Sequence, residues 1–489
     1  MPPRKHERAR RRRKNLIKAL LMLNLVLIVA VVAVASAVVV KLIGGGKITT
    51  APSDSKNPTK EPMTTTATTV AGPRAPKAIA TATVGNSGDI LIHSPVLKAA
   101  KVSSGVYNFD SMFQHLTPYV SKLDYAAINM EFGFGRGESD YHQREMIFRV
   151  PTSLADTVMK TGYDLGLCAN NHVNNGNSLS FTASVYNEKN MDHIGLRASS
   201  SEKRYLVKDV SGIKLGFVNY TYGSQTSKTG MVNYFSTDYL PAFYADMEEQ
   251  IAAMKADGAE AIVVYIHWGN EYQIKPNSHQ TSMAKKLCEM GVDVIVGGHP
   301  HKIQPVELIT AENGNQTVCL YSMGNILSNQ TIESMYGGSR AANKGGNFQD
   351  YGQCPYPDVK TRYSDTHYGE HHENCNDNGH TEDGLLFNYT FTKYEDGTVM
   401  LTGVDVLPTW CYMTGSGDNR DYKIIPLDKS CEGQWATKFG IAAEDVIFAQ
   451  RSYDRTMALL GEGIQQINDN CKAKVSAYVE AFKHAQKTE

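Results

Sequence analysis

The sequence predicts an α/β protein, and two observations carry that reading. Short apolar, β-branched runs at 261–266, 292–296 and 318–322 alternate with stretches whose apolar residues fall at helical spacing, such as Phe243, Met247, Ile251 and Met254. Strand after strand then runs into polar residues, the place where ligands bind in open α/β sheets. With 489 residues the chain has room for one large domain, or two, and an ample core.

The first element is basic. Residues 1–18 hold nine Lys and Arg against one acid, Glu7, so the formal net charge of −1 leaves the remainder at about −9. That remainder offers no basic surface of the kind nucleic-acid binding needs, and no nucleic-acid partner is expected. Residues 19–40 follow without a charge, dominated by Leu, Val, Ile and Ala, and Lys41 closes them. Such a run is long enough to cross a bilayer as a helix, and the positive flank places residues 1–18 in the cytoplasm and the main domain outside. Ala33-Val34-Ala35 and Ala35-Ser36-Ala37 resemble signal-peptide cleavage sites. The run continues through Val38-Val39-Val40, longer than a signal core, so segment 19–41 reads as an uncleaved single-pass anchor.

Residues 42–78, rich in Thr, Pro, Ser, Ala and Gly, read as a flexible tether. Eight cysteines outside the cytoplasm permit disulfides, with Cys354–Cys375 and Cys411–Cys431 as plausible local pairs. Cys168, Cys288 and Cys319 lie in apolar patterns and read as buried thiols, and none forms a Cys-x-x-Cys zinc pattern.

The globular part, 79–410, opens with a strand at 80–84 that should end in the turn Gly85-Asn86-Ser87-Gly88-Asp89, leaving Asp89 placed as a metal ligand. Phe109, Met112, Phe113, Leu116 and Val120 predict a helix over 109–122. A strand over 125–131 carries Asn129 and Glu131 at its end, and a helix marked by Leu154, Val158 and Met159 stops at Gly162. Strand 163–168 runs into Ala169-Asn170-Asn171-His172-Val173-Asn174-Asn175-Gly176-Asn177, too rich in amides for a strand or helix and well suited to a polar site. After strand 214–220, strand 261–266 delivers His267-Trp268-Gly269-Asn270-Glu271-Tyr272. Strand 292–296 delivers Gly297-Gly298-His299-Pro300-His301, whose glycines clear space for a ligand and whose histidines share a side in extended chain. A further strand, 318–322, ends in Met323-Gly324-Asn325.

One such histidine is more often a hydrogen-bonded core residue than a ligand. Five strand ends offering Asp89, Glu131, Asn171 with His172, His267, and His299 with His301 are hard to explain as core filling. Parallel strands of one sheet would bring them to one edge. These are O and N donors without thiolate, which suits one or two ions of Mn, Fe or Zn. Residues 326–381, polar and holding His367, His371, His372 and His380, read as a surface insertion rather than a second metal cluster. Residues 385–391 alternate as a strand, and 411–489 read as a largely helical extension, with helix over 443–485.

Gly88-Asp89-x-x-x-His93, Asn129-x-Glu131, Asn170-Asn171-His172, His267-x-Gly269-x-Glu271, Gly298-His299-Pro300-His301 with Gln304-Pro305-x-Glu307, and Tyr321-Ser322-x-Gly324-Asn325 together resemble the CapA/PgsA family of capsule and poly-γ-glutamate biosynthesis proteins. The resemblance implies a calcineurin-like metallophosphoesterase four-layer sandwich, preceded by a single N-terminal transmembrane helix. It also implies two metals bridged by Glu131, with Asp89, Asn171, His267, His299 and His301 as further ligands and His172 as proton donor. The superfamily's first motif is Asp-x-His. Here Leu91 stands two after Asp89 and the nearest histidine is His93. Two functions follow from the resemblance. One is a metal-dependent hydrolase or transferase acting on a phosphoester or glutamyl amide. The other is a non-catalytic subunit that holds an anionic polymer. The implied partners are the membrane, an anionic capsule polymer or its precursor, and synthase or exporter subunits.

Overall fold

The apolar strands divide between two mixed sheets, where the strand ends alone suggested one parallel sheet and the family resemblance a four-layer sandwich. The structure, a computed structural model, describes residues 74–144, 147–173, 179–223, 230–330, 381–415 and 419–488. The basic segment, the apolar run at 19–41, most of the tether, Cys354 and Cys375, and the four histidines of the insertion lie outside those residues. Among the described residues, no helix is long and apolar enough to cross a membrane.

In the first sheet, β1 (Ala78–Ile90), β2 (Tyr125–Asn129), β3 (Leu165–Leu167) and β4 (Asp192–Ile194) lie parallel, side by side. β5 (Tyr205–Val210) and β6 (Ile213–Tyr222) then open the second sheet as an antiparallel hairpin. β7 (Ala261–His267), β8 (Val294–Gly298) and β10 (Gln316–Met323) add to it in parallel, with β9 (Ile303–Thr310) antiparallel at the edge. The chain returns to the first sheet with β11 (Asn325–Leu327), parallel to β1. β12 (Asp383–Tyr394), β13 (Val399–Thr414) and β14 (Asp421–Pro426) complete it in antiparallel order.

The period of two along each strand decides the layers. In β7, Ala261, Val263 and Tyr265 enter a core shared with Val84, Ala127 and Phe387 of the first sheet, so this core lies between the sheets. Ile262, Val264 and Ile266 face the other way, onto α4 (Leu240–Ala256) and α5 (Ser278–Glu289). Ala126, Ile128 and Met130 likewise face α1 (Ser94–Ala100), α2 (Ser153–Thr161) and α3 (Leu179–Lys189). The result is helices, sheet, sheet, helices. The 43-residue α6 (Val446–Thr488) lays Leu460, Ile467 and Cys471 into the inter-sheet core. It is pinned there by Arg455, whose Nη2 and Nε donate to the Asp383 carboxylate at 2.8 and 3.0 Å.

Four acids fix the register of the parallel junctions. Asp124 accepts the Thr83 N–H at 2.8 Å, Asp164 that of Ala126 at 2.9 Å, Glu260 that of Lys214 at 2.9 Å and Asp293 that of Ile262 at 2.7 Å. Each returns its own N–H to the carbonyl of the same residue, so each of these pairs is bonded both ways.

Several expectations are corrected. β1 does not turn at residue 85 but continues to Ile90, placing Asp89 within the strand. Gly88 serves close approach rather than a turn, because a Cβ there would sit 1.9 Å from the Gly324 carbonyl oxygen. The helix expected over 109–122 is two single turns, Asp110–Phe113 and Thr117–Val120, with Pro118 starting the second. The domain does not end at 410: β13 crosses that point and β14 extends the sheet to Pro426. Nor does the insertion start at 326, since Ile326 and Leu327 are buried in β11 and Thr381 is buried at its far side. Thr381 Oγ1 donates to the Gln330 carbonyl, so the described ends of that segment meet. Cys411 and Cys431 are not joined to each other: Cys411 is buried in β13 with its thiol donating to the Ser328 carbonyl, and Cys431 lies in a 3₁₀ turn.

Candidate metal centre

Both sheets deliver the C-terminal ends of their parallel strands to one place. β1 supplies Asp89, β2 leads to Glu131, β3 to Asn171 and His172, β7 ends on His267, and β8 leads to His299 and His301. All of these except Asn171 are at most 4 % exposed. The seven residues singled out from the sequence therefore converge. These candidate ligands nevertheless come from two sheets, joined where the Asn219 side chain of β6 accepts the Ala169 N–H at 2.7 Å.

The turn holding the two histidines is not extended. His299 and His301 have φ of 95° and 57°, a left-handed region that costs a side-chain-bearing residue roughly 1–2 kcal/mol. Packing against Asp89 imposes it. The His299 N–H and His301 Nδ1 lie 3.2 and 3.1 Å from Asp89 Oδ2, while Asn129 Nδ2 donates to Asp89 Oδ1 at 2.6 Å. A Cβ at Gly298 would lie 2.9 Å from Asp89 Oδ1, and one at Gly297 would lie 2.0 Å from the Tyr321 carbonyl oxygen.

Glu131 sits at the middle. Its Oε1 lies 3.4 Å from His267 Nε2, 3.8 Å from His172 Nε2 and 3.9 Å from His301 Nε2. It is wholly buried, and among the described residues neither carboxylate oxygen has a hydrogen-bond partner. Burial, with the charges of Asp89 and Glu271 added, pushes its carboxyl well above the usual range. His267 Nε2 also lies 2.9 Å from Asn171 Oδ1. Burial lowers His267 to about 3 and holds His299 well below the ordinary histidine value, so both imidazoles are neutral, the form that binds metals. His301 is the exception: burial works against its charge, but the hydrogen bond and charge of Asp89 outweigh burial and raise it.

These residues fit a divalent cation. Among the described residues, three groups of potential ligand atoms lie within 4.8 Å of one another: Glu131 with His267 and His299, Asp89 with Glu131 and His301, and Glu271 with His299 and His301. A buried carboxyl with no hydrogen bond among the described residues, beside imidazole nitrogens, is neutralised either by a proton, as its raised pKa shows, or by a cation that the same nitrogens can help to hold.

His172 lies beside Glu131 with Phe148 edge-on at 4.7 Å, and its N–H donates to Asn170 Oδ1 at 3.2 Å. His93 is not among the converging groups. It precedes α1, and its Nδ1 accepts the Asn329 N–H. Sequence reasoning assigned no role to four residues that belong to the site. Asn129 orients Asp89. Asn325 Oδ1 lies 3.1 Å from His301 Nδ1, while its Nδ2 donates to the Thr381 carbonyl at 3.0 Å. Tyr222, from β6, places its hydroxyl 2.5 Å from His299 Nε2. Glu271 completes the third ligand group. Asn129, Glu271 and Asn325 all lie in motifs visible in the sequence, whereas nothing around Tyr222 marked it.

The fold and site define a two-sheet α/β protein whose strand ends build a carboxylate–imidazole cluster suited to metal. Residues 83–330 match the family model described as bacterial capsule synthesis protein PGA_cap, and the chain belongs to that family. It is 28% identical over 251 residues to the PGA biosynthesis protein CapA of Bacillus subtilis (strain 168), covering 50% of this chain and 62% of that protein. It is 26% identical over 234 residues to the capsule biosynthesis protein CapA of Bacillus anthracis, covering 46% of this chain and 55% of that protein. The matched region thus spans little more than half the length of either relative.

Proposed function

We propose that the protein is a metal-dependent hydrolase or transferase in the biosynthesis or export of an anionic capsule polymer such as poly-γ-glutamate. In this reading its sandwich is of the calcineurin-like metallophosphoesterase kind. The observation that carries the proposal is Glu131, buried beside His172, His267 and His301 and without a hydrogen bond among the described residues. Glu131 would bridge two cations, one also held by Asn171, His267 and His299, the other by Asp89 and His301. When bound, such cations supply Lewis-acid polarisation of a phosphoryl or carbonyl oxygen and acidify water.

The protein's own residues do the rest. Asp89 and Asn325 orient His301 by hydrogen bonds to its Nδ1, leaving Nε2 toward Glu131. Phe148 and the Asn170 side chain hold His172 at the edge of the site, placed to pass a proton to a leaving group. We further propose that the chain is anchored by residues 19–41 with its main domain outside the membrane, working beside synthase or exporter subunits. Protease added to intact cells should then release a fragment beginning within 44–78. A mature protein that starts near Ser36 and is free of membrane would refute the anchor.

Leu91, standing where the Asp-x-His motif has its histidine, favours a second reading in which the cluster holds the polymer without cleaving it. Metal content and turnover of purified full-length protein, on a simple phosphodiester and on poly-γ-glutamate, separate the two. In the catalytic reading His172→Ala keeps its metal and loses roughly 10²–10⁴-fold in turnover, while His93→Ala changes neither. Metal-loaded wild type that retains poly-γ-glutamate yet turns over nothing would establish the second reading.

A further inference from the structure

The first motif leaves one cation position a histidine short, and Leu91 cannot fill it. That side chain is 1 % exposed and packed in the outer helical core, with its backbone N–H donating to the Leu327 carbonyl at 2.8 Å. We infer that Glu271 takes the missing place, joining Asp89, Glu131 and His301 around one cation; this deepens the metal-centre reading above and rests on it.

Glu271 follows β7 by four residues, and its ligand atom lies within 4.8 Å of those of both His299 and His301. A second feature marks a ligand beside it, at the neighbouring cation position: His299 is 2 % exposed, yet its Nδ1 has no hydrogen-bond partner among the described residues.

The loop carrying Glu271 is also held more firmly than a solvated glutamate requires. The Tyr272 N–H donates to the Pro300 carbonyl at 2.7 Å and the Trp268 N–H to the Gly298 carbonyl at 3.2 Å, so this loop is zipped to the His-Pro-His turn on either side of Glu271. Gly269, at φ 84°, packs so closely on the Gln280 amide that a Cβ would lie 2.7 Å from it. Gln280 is fixed by a capping box with Asn277 and donates to Gln304 Oε1 at 2.7 Å. Gln304 in turn donates to the Gln273 and Lys275 carbonyls at 2.9 and 3.3 Å. Gln280 and Gln304 are 1 % and 0 % exposed. The His-x-Gly-x-Glu and Gln304 motifs thereby acquire a shared purpose, which is to hold Glu271 against the two histidines.

The two cation positions then differ in chemistry. One is nitrogen-rich, with Asn171, His267 and His299 beside Glu131. The other takes three carboxylates and one imidazole, a hard, oxygen-rich set that suits Mn²⁺ better than a thiolate-seeking ion.

Chelator-stripped full-length protein titrated with Mn²⁺ tests this by calorimetry and electron paramagnetic resonance. Wild type should take two Mn²⁺ and show an exchange-coupled spectrum. Glu271→Gln should take one tightly, with a six-line mononuclear spectrum, and bind the second at least ~10–100-fold more weakly. Glu271→Asp, which keeps the charge and shortens the reach, should fall between them and serves if the Gln variant does not fold. Two ions bound by Glu271→Gln with unchanged affinity overturn the assignment, as does a single wild-type ion that this variant retains. Wild type that binds no ion overturns the metal-centre reading itself, and the inference with it.

Discussion

The two ends of the parallel strands use the same residue type in opposite ways. At the N-terminal edge Asp124, Asp164 and Glu260 are exposed and Asp293 is half-buried, and each accepts a backbone N–H. At the C-terminal edge Asp89 and Glu131 are wholly buried, and Glu131 accepts no hydrogen bond from the described residues. A carboxylate paired with a backbone amide is already satisfied. One taken out of water without a partner carries a penalty of several kcal/mol that a proton or a cation can relieve. What separates the structural acid from the functional one is therefore the missing partner, more than the position in the sheet.

The sharpest way to break this comparison is Glu131→Gln. It should abolish cation binding, lowering affinity by more than ~100-fold, since removing even an outer-shell partner typically costs 10–100-fold. It should also raise the unfolding midpoint of the chelator-treated protein at high pH, where the carboxyl ionises, because a neutral amide then replaces a buried charge without a partner, a change of about 1–3 kcal/mol. Metal analysis and thermal scans with and without chelator read both effects. A metal-free midpoint that falls would mean Glu131 is satisfied after all.

Asp293 tests the other edge through pH. Burial is the main cause that pushes it up to about 6 from its ordinary 3.8. The folded state therefore binds its proton more tightly than the unfolded chain. Its stabilising effect is complete below about pH 4 and is lost as pH rises through 6, at most ~3 kcal/mol at 1.36 kcal/mol per pH unit. Asp293→Asn should flatten urea midpoints measured across pH 4–6. A slope that survives the substitution would assign the titration to another group.

The smallest effect belongs to Asp124→Ala. Thr83 loses an acceptor where water can replace it, so the cost should be about 0.5–1.5 kcal/mol, with cation affinity unchanged. A shift in metal content in this variant would show that the two edges are coupled, and the contrast drawn between them would fail.

Much of this molecule was legible in the sequence because its signals are local. Runs such as 261–266 are apolar on every residue, as strands covered on both faces must be, and each hands the chain to a polar group at a predictable place. That is why Asp89, Glu131, Asn171, His172, His267, His299 and His301 could be named before their meeting was seen. The chain also carries its own punctuation, as at Gly162, whose φ of 113° ends α2. Local pattern misled where a residue's reason lay elsewhere in the chain. Gly88 read as a turn, yet it is small because Gly324 passes over it. Cys411 and Cys431 are near in sequence, but strand β13 buries one of them away from the other.

Only the tertiary structure decided which strand ends each of the two sheets brings to the site, because strand pairing depends on partners tens to hundreds of residues away. It also decided that His299 and His301 adopt left-handed backbone, since the cause is contact with Asp89, some 210 residues earlier. Above all it decided the state of Glu131. A sequence records that a carboxylate is present. Whether any donor reaches that carboxylate after burial is fixed by the arrangement of five strand ends in space, and that arrangement is what makes the site a place for a cation.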